Sequence, residues 1–315
     1  MGLYFAVMIL IKKYKSTCLM SLIMLVIFLT SCKKDNYYDI DYSKTLDIKQ
    51  LSHISKVGDS SLTLAVASIV SASESFPGFQ ALARYLQERC GRRISVVHPK
   101  TYQEILDLFG QGSADIGSIC TGPYIIGNRA RLFVLLVSPV IGGKTYYQAY
   151  VIVPANSAAK SVSDLSGKPF VFSDRLSLTG YFFPLFLVRD TSGTAWRESI
   201  FSGSQDQSIS LVNRGIAAGG SVSGLVYDDM ASRFPEQVRN TRIVEKSADF
   251  GMPPIVVSAT MPILLRDSLR KAFLEMTFTP GGRAVLRSLG IDKYEEAREE
   301  RYDSLEKMVP KILYR

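Results

Sequence analysis

The segment ISVVHPKTYQEILDLFGQGSADIGSIC, residues 94–120, holds the pattern that decides the fold. It opens with a short apolar run, residues 94–97, and closes with a second one, residues 116–120. Between them, apolar side chains recur at helical spacing until Gly110 and Gly112 end the pattern. Strand, helix and strand in this order predict a parallel β-α-β unit. The helical face consists of Tyr102, Ile105, Leu106 and Phe109.

The same alternation extends along the chain in both directions. Residues 62–67 predict an earlier strand, and Pro77 and Gly91 the start and end of the helix that follows it. After residue 120 the pattern continues and then restarts, which predicts an α/β fold with two Rossmann-like lobes. The further predicted strands are 132–137, 150–153, 170–172 and 255–257, and the further helices begin at Pro123 or span 179–188, 205–214, 223–234, 263–276, 281–289 and 296–309.

The N-terminus has the order of a secretory signal peptide. A lysine-containing stretch precedes an apolar run, residues 19–29, and the run ends in Leu29-Thr30-Ser31-Cys32. These four residues resemble a bacterial lipobox, in which a signal peptidase cuts before a cysteine that is then diacylated. A transmembrane anchor is the alternative, but the run is shorter than the roughly 20 residues that a spanning helix needs. We expect a lipoprotein signal peptide at 1–31 and an extracytoplasmic protein held to a membrane by lipid at Cys32.

Composition excludes several function classes. Removing residues 1–31 removes three lysines and no acid, so the net charge falls from +8 to +5, without a block of consecutive basic residues. Nucleic-acid binding needs a clustered basic face, and none is visible. Only two histidines, His53 and His98, are present, so we expect no His-based metal site and no cofactor. Residues 32–60 are polar and predict a flexible tether.

The expected mature chain contains two cysteines in addition to Cys32. Cys90 and Cys120 can pair as a disulfide in an oxidising compartment or stay as two buried thiols. The sequence does not decide between these states.

Residues 173–181, SDRLSLTGY, carry the strongest chemical pattern. They follow a predicted strand and open a predicted helix, so the first backbone N–H groups of that helix are free to bind an anion. The hydroxyls of Ser177 and Thr179 lie beside them, and Gly180 adds no side chain. The alternative is an ordinary helix N-cap, which Ser177 can supply at any helix.

A second strand end has similar features. Thr121 and Gly122 follow Cys120 and lead into a helix, so a hydroxyl and a closely approachable backbone are available there. A tight turn between strand and helix explains the same residues without a ligand. Ser68, after the first strand, offers a further hydroxyl. Two opposed helix N-termini bind an oxyanion without a formal counter-charge.

Five motifs occur in an order that resembles the phosphate/phosphonate-type solute-binding proteins of ABC transporters, over about residues 61–310. This resemblance implies a type II periplasmic binding protein, with two lobes joined by two crossover strands near residues 147–153 and 251–257. It implies one lobe from 61–149 plus 252–315 and another from 150–251. The motifs are YQEILDLFGQGSADIGSICTGPYIIG, YYQAYVIVPANSAAKSVSDLSGKPFVFSDRLSLTGYFFP, GSQDQSISLVNRG, GLVYDDM and TPGGRAVLRSLGIDKY.

The resemblance also implies the residues that contact the ligand. The family's Ser-Thr-Ser-Gly anion loop corresponds to Ser177, Leu178, Thr179 and Gly180, and its cleft tyrosines correspond to Tyr102 and Tyr147. The family's histidine corresponds to Gln205. Leu178 removes one hydroxyl and Gln205 removes a potentially cationic group, so the pocket keeps neutral donors. An ammonium partner is not evident, because residues 221–224 and 252–254 carry no acid.

The function implied is capture of a small oxyanion, of the phosphate, phosphite or phosphonate class, for an ABC permease. An extracytoplasmic sensor that passes its closed form to a signalling receptor is the alternative. An enzyme is disfavoured, since there is no Gly-x-Ser-x-Gly elbow, no histidine near Ser177 and no metal-ligand cluster in the sequence. We expect a monomer on the periplasmic side of a membrane or at the cell surface.

Overall fold

The structure is a computed structural model that describes residues 61–67, 72–189, 196, 198–303 and 305–309, without the side chains of 72–75. All of these residues belong to the compact unit Leu51–Arg315. The predicted signal peptide, the tether, Cys32 and Ser68 lie outside the described residues.

The described strands form two main sheets and a short ladder. In chain order they are β1 (Leu62–Val66), β2 (Ile94–Val97), β3 (Ile116–Ser118), β4 (Phe133–Val140), β5 (Tyr146–Tyr147), β6 (Ala149–Pro154), β7 (Pro169–Phe172), β8 (Glu198–Phe201), β9 (Gly219–Ser223), β10 (Thr241–Lys246), β11 (Phe250–Gly251), β12 (Ile255–Ser258) and β13 (Lys293–Glu296). The first sheet has the order β13-β4-β12-β3-β1-β2 and the second the order β10-β6-β9-β7-β8.

Helices cover the two sheets. They are α1 (Ala72–Cys90), α2 (Tyr102–Gly110), α3 (Thr121–Arg129), α4 (Phe183–Val188), α5 (Gln205–Asn213), α6 (Gly224–Arg233), α7 (Ile263–Leu274), α8 (Pro280–Leu289) and α9 (Glu300–Asp303). Short 3₁₀ segments span Ser163–Leu165, Pro235–Gln237, Met276–Phe278 and Glu306–Met308.

Both sheets combine parallel and antiparallel pairs. In the first sheet β1 runs parallel to β2 and β3, and β12 returns antiparallel between β3 and β4. In the second sheet β7 runs parallel to β8 and β9, and β6 lies antiparallel to β9 and β10. The parallel strands place their carboxyl ends, and the loops that follow them, at one edge of each sheet.

The core of each lobe follows from apolar strands between amphipathic helices. Leu64, Leu82 and Phe273 are fully buried in one cluster that joins β1, α1 and α7. Ile152 and Val212 are fully buried in another that joins β6 and α5. Burying a large apolar side chain contributes about 1.5–3 kcal/mol, so these clusters fix the helices on their sheets.

Two connections join the sheets, and they pair with each other where they cross. The chain leaves the first sheet after β4 and returns to it at β12, and on the way β5 and β11 form an antiparallel ladder. Tyr147 pairs with Phe250, and Tyr146 pairs with Gly251. The ladder lies at the predicted crossover positions. The exact lobe boundaries, 61–149 plus 252–315 and 150–251, stay a prediction.

The structure differs from the predicted elements in three respects. Helix α1 begins at Ala72, so Pro77 lies inside it, at the cost of one backbone hydrogen bond. The helix expected at 296–309 is instead the end of strand β13, the short helix α9 and a 3₁₀ turn. Strands β8, β9, β10 and β13 were not predicted, because glycines, charged residues or shortness leave them without a sustained apolar pattern.

The C-terminal segment packs onto the crossover. The Tyr302 hydroxyl donates to the Met252 carbonyl oxygen at 2.7 Å and lies 3.0 Å from Ser138 Oγ. Burial raises the pKa of Tyr302 to about 12, so this hydroxyl stays protonated and can donate. Its ring also lies 4.5 Å from the ring of Tyr124. Residues after β13 therefore support the strand that returns from the second lobe.

Replacing Tyr302 with Phe should lower the free energy of unfolding by about 1–2 kcal/mol, because Met252 loses its buried hydrogen-bond donor. Denaturant unfolding measures the difference. Tyr294→Phe is the matched control, since Tyr294 is equally buried but packs on Phe273, away from the crossover. Equal losses in the two variants would contradict this role of Tyr302.

Candidate functional site

The loop after β7 forms a tight turn around Ser177. The backbone N–H of Gly180 donates to Ser177 Oγ at 2.9 Å, which is the predicted N-cap contact. The helix that follows begins as a π-helical turn, Leu178–Phe182, and only then continues as α4. A Cβ at Gly180 would overlap Ser173 Oγ, so this position accepts only glycine. We call residues 173–180 the hydroxyl loop.

Gln205, the first residue of α5, joins the hydroxyl loop to the second sheet. Its Nε2 lies 3.0 Å from Ser173 Oγ, 3.1 Å from Ser177 Oγ and 3.3 Å from Thr179 Oγ1. Its Oε1 accepts the backbone N–H of Ser223 at 2.9 Å. Because the Ser223 amide requires an acceptor, the orientation of the Gln205 carboxamide is fixed, and Nε2 must face the hydroxyls.

The cluster around Gln205 has more hydrogen-bond donors than acceptors. The two N–H groups of the Gln205 amide are shared among three hydroxyl oxygens, and among the described contacts none of those hydroxyls donates its own proton. A fourth hydroxyl, Ser223 Oγ, is buried and has no hydrogen-bond partner among the residues that the structure describes. Buried polar groups are rarely left unpaired, because an unpaired group costs about 1–3 kcal/mol. A group that accepts several hydrogen bonds fits this site.

The first lobe contributes the N-terminus of α3, but its hydroxyls have other partners. Thr121 Oγ1 donates to the Gly251 carbonyl oxygen at 3.0 Å, and the Tyr147 hydroxyl donates to Thr121 Oγ1 at 3.1 Å. Thr121 therefore binds the returning crossover strand, and Tyr147 binds Thr121. Their sequence positions suggested free hydroxyls, since the partner of Thr121 lies 130 residues further along the chain.

Cys120 lies where the donors of both lobes meet. The backbone amides of Thr121 and Gly122, from the first lobe, and of Leu178, from the second, contact its thiol. The hydroxyls of Tyr102 and Tyr147 also form hydrogen bonds with the Cys120 thiol. Burial raises the pKa of all three side chains, so thiol and phenols stay neutral. Sequence reasoning did not assign Cys120 to the site, although it directly precedes Thr121 and Gly122.

The two halves of the site touch through their backbones. A Cβ at Gly122 would overlap the carbonyl oxygen of Leu176, so glycine is needed for this approach. The backbone N–H of Tyr102 donates to Asp174 Oδ2 at 3.1 Å. The structure thus brings together the predicted residues of both lobes, with Ser68 outside the described residues.

The cysteines, the side chains that could ligate a metal and the described cavity do not point to a different site. Cys90 and Cys120 are free thiols. Within residues 61–309 as described, no three His, Cys, Asp or Glu side chains are grouped to hold a metal, and no helix is long and apolar enough to cross a membrane. A cavity of about 520 Å³ lies between α2 and α3, but none of the predicted site residues lines it. We assign the site to the Gln205 cluster because the donors converge there.

Comparison with known proteins identifies the family. The model of the periplasmic substrate-binding proteins of phosphonate ABC transporters matches residues 64–302. Since this is more than half of the chain, the protein belongs to that family. The family consists of substrate-binding proteins of transporters, and membership implies a small anionic ligand, a permease partner and an extracytoplasmic location.

Curated relatives are similar at low identity. The phosphate-import protein PhnD of Mycolicibacterium smegmatis is 23% identical over 243 residues, 70% of this chain and 76% of that protein. The phosphonates-binding periplasmic protein of Escherichia coli is 20% identical over 243 residues, 74% of this chain and 71% of that protein.

Solved structures show the same fold. PhnD1 of Prochlorococcus marinus, in complex with methylphosphonate, superimposes with a TM-score of 0.72 at 15% identity, covering 81% of this chain and 99% of that one. A binding protein of an ABC phosphonate transporter from Pseudomonas aeruginosa gives a TM-score of 0.72 at 16% identity, covering 79% and 85%. The chain therefore has the type II periplasmic binding protein fold, with two α/β lobes joined by two crossover strands.

Replacing Gln205 with Leu should lower the free energy of unfolding by about 1–3 kcal/mol, because the Ser223 amide and three hydroxyl oxygens lose their partner in a buried site. Thermal or denaturant unfolding gives the value. Gln148→Leu is the control, since Gln148 donates one bond to the Ser247 carbonyl oxygen and is only partly buried. A smaller loss at Gln205 than at Gln148 would refute the role of Gln205 as the centre of the network.

Proposed function

We propose that this protein binds a small oxyanion, of the phosphate, phosphite or simple phosphonate class, between its lobes and delivers it to an ABC permease. The observation that supports this most strongly is the excess of buried donors around Gln205. An oxyanion accepts several hydrogen bonds at once, and each bond to a charged acceptor contributes about 1.5–3 kcal/mol. Family membership and the names of the curated relatives point to the same ligand class.

The donors in the proposed site are neutral, which limits the ligands it can hold. Gln205 stands where the resemblance places a histidine, and the tyrosine hydroxyls stay protonated. Residues 221–224 and 252–254 carry no acid that could pair with an ammonium group. We therefore favour an anion without an aminoalkyl substituent.

The proposed roles divide between binding and closure. Ser177 and Thr179 contribute hydroxyls, and Gly180 keeps the backbone close. Thr121 and Tyr147 hold the crossover strand near the ligand. Tyr102, Gly122 and Gln205 complete the proposed site, and Ser68, which follows the first strand in the sequence, is proposed as a further hydroxyl donor.

Replacing Thr179 with Val keeps the shape of the side chain but removes its hydroxyl. Affinity for the oxyanion should fall by about tenfold or more, since 1.4 kcal/mol corresponds to a factor of ten. Calorimetry with phosphate, phosphite, methylphosphonate, sulfate and 2-aminoethylphosphonate identifies the ligand and measures the change.

Thr241→Val is the control for this experiment. Thr241 is a buried threonine of the second lobe whose hydroxyl contacts Val238 and Tyr227. Its replacement should leave affinity within about twofold. If Thr179→Val binds the ligand as tightly as wild type, or if none of the five anions binds, the proposed site is wrong.

We also propose that the mature chain begins at Cys32 and carries lipid there. The order of segments in the sequence supports this proposal: basic residues come first, then an apolar run, and then Leu29-Thr30-Ser31-Cys32. One acyl chain gives only marginal membrane binding, and the two chains of a diacylated cysteine are enough for stable anchoring.

Replacing Cys32 with Ala should abolish incorporation of labelled fatty acid and move the protein from the detergent phase to the aqueous phase. Phase partitioning after metabolic labelling measures both effects. Cys18→Ala is the control, since Cys18 lies before the cleavage point and should leave labelling unchanged. Labelling that survives in the Cys32 variant would exclude this anchor.

A further inference from the structure

Asp174 makes contacts that the proposed anion site does not explain. Its Oδ2 accepts the backbone N–H of Tyr102, in the first lobe, at 3.1 Å. Its Oδ1 accepts the backbone N–H of Leu176, in its own loop, at 2.7 Å. A single carboxylate thus connects the hydroxyl loop of the second lobe with the opening residue of α2.

A negative charge so close to an oxyanion site does not favour the ligand directly. Like charges repel, and Asp174 offers only acceptors, whereas the ligand needs donors. The carboxylate does match the first turn of α2, a nine-residue helix that begins at Tyr102. The free N–H groups in the first turn of α2, and the positive end of its helix dipole, attract an anion. The charge therefore suits contact between lobes rather than contact with the ligand.

The contact exists only while the lobes are together. The same loop places Leu176 against Gly122 and the Leu178 amide on Cys120. If the lobes part, the Tyr102 amide and Asp174 both return to water. Burial raises the pKa of Asp174, and the bonds from Leu176 and Tyr102 oppose that shift. Hydration in the open form makes the contact reversible.

We propose that Asp174 is a positioning residue that latches the closed form, holding the hydroxyl loop against α2 so that bound anion is retained. This inference rests on the proposed anion-binding function for its probe, inorganic phosphate, but its geometry is independent of which ligand binds. A latch present only in the closed form shifts the open–closed equilibrium by its differential stability. It should slow ligand dissociation and leave association almost unchanged.

Asp174→Asn separates the latch from the loop. Both carboxylate oxygens accept a hydrogen bond, and an asparagine has only one oxygen, so its amide must face one of the two N–H groups. The shorter, local bond to Leu176 should be kept, and the contact with Tyr102 lost. Asp174→Ser is a second variant, because a serine hydroxyl can still accept from Leu176 but is too short to reach α2 as well.

Asp164→Asn is the matched control. Asp164 Oδ2 accepts two backbone N–H groups of its own lobe, from Lys160 at 2.8 Å and Ser161 at 3.1 Å. The single oxygen of an asparagine can keep both bonds, so this variant removes a charge without breaking a contact between the lobes. Thermal unfolding and circular dichroism of all three variants show whether each one folds.

The test combines stopped-flow kinetics of phosphate binding with solution scattering. Both Asp174 variants should release phosphate about tenfold faster than wild type, with association within about twofold, and their ligand-free radius of gyration should increase. The Asp164 variant should match wild type in both measurements. Folded Asp174 variants with wild-type dissociation would overturn the latch.

The two proposals fail in different ways. If wild type binds no phosphate, phosphite or methylphosphonate, the proposed function is wrong. The latch is then tested only by the ligand-free radius of gyration from solution scattering. In that case, an unchanged radius of gyration in both Asp174 variants would overturn it, and an increase confined to them would support it.

Discussion

The carboxamide of Gln205 is the interaction on which the rest of the site depends. It links the end of β9, through the Ser223 amide, to three hydroxyls of the loop after β7. Because Oε1 accepts the Ser223 amide, Nε2 must donate to the hydroxyls. Each hydroxyl oxygen that accepts from Nε2 keeps its own O–H free to donate. A neutral side chain thus sets the direction of the hydrogen bonds, from the backbone of β9 to the loop after β7. No cation is needed for the site to attract an anion.

The crossover and the hydroxyl loop both contact the N-terminus of α3. The strand that returns to the first sheet is held by Thr121 at Gly251 and by Tyr302 at Met252. The loop that carries the hydroxyls touches α3 at Gly122. A displacement of either lobe would therefore alter both the crossover contacts and the hydroxyl loop.

The sequence predicted the parts of the fold that depend on local patterns. Apolar runs and helical spacing predicted the α/β class, which is confirmed, because each element buries its own face. The edge strand β13 escaped prediction because Tyr294 is its only large buried side chain among charged neighbours. In the site, the Ser177 cap was predictable from four consecutive residues. The partners of Thr121, Asp174 and Cys120 were not, since they come from segments distant in sequence.

Cys120 has a consequence for the chemical durability of the protein. Thiolates, not thiols, react with oxidants and electrophiles, and an extracytoplasmic compartment is oxidising. Burial raises the pKa of Cys120, and the facing lobe covers the sulfur with the Leu178 amide. The contact between the lobes therefore shields this thiol from damage, and any separation of the lobes would expose the sulfur to oxidants.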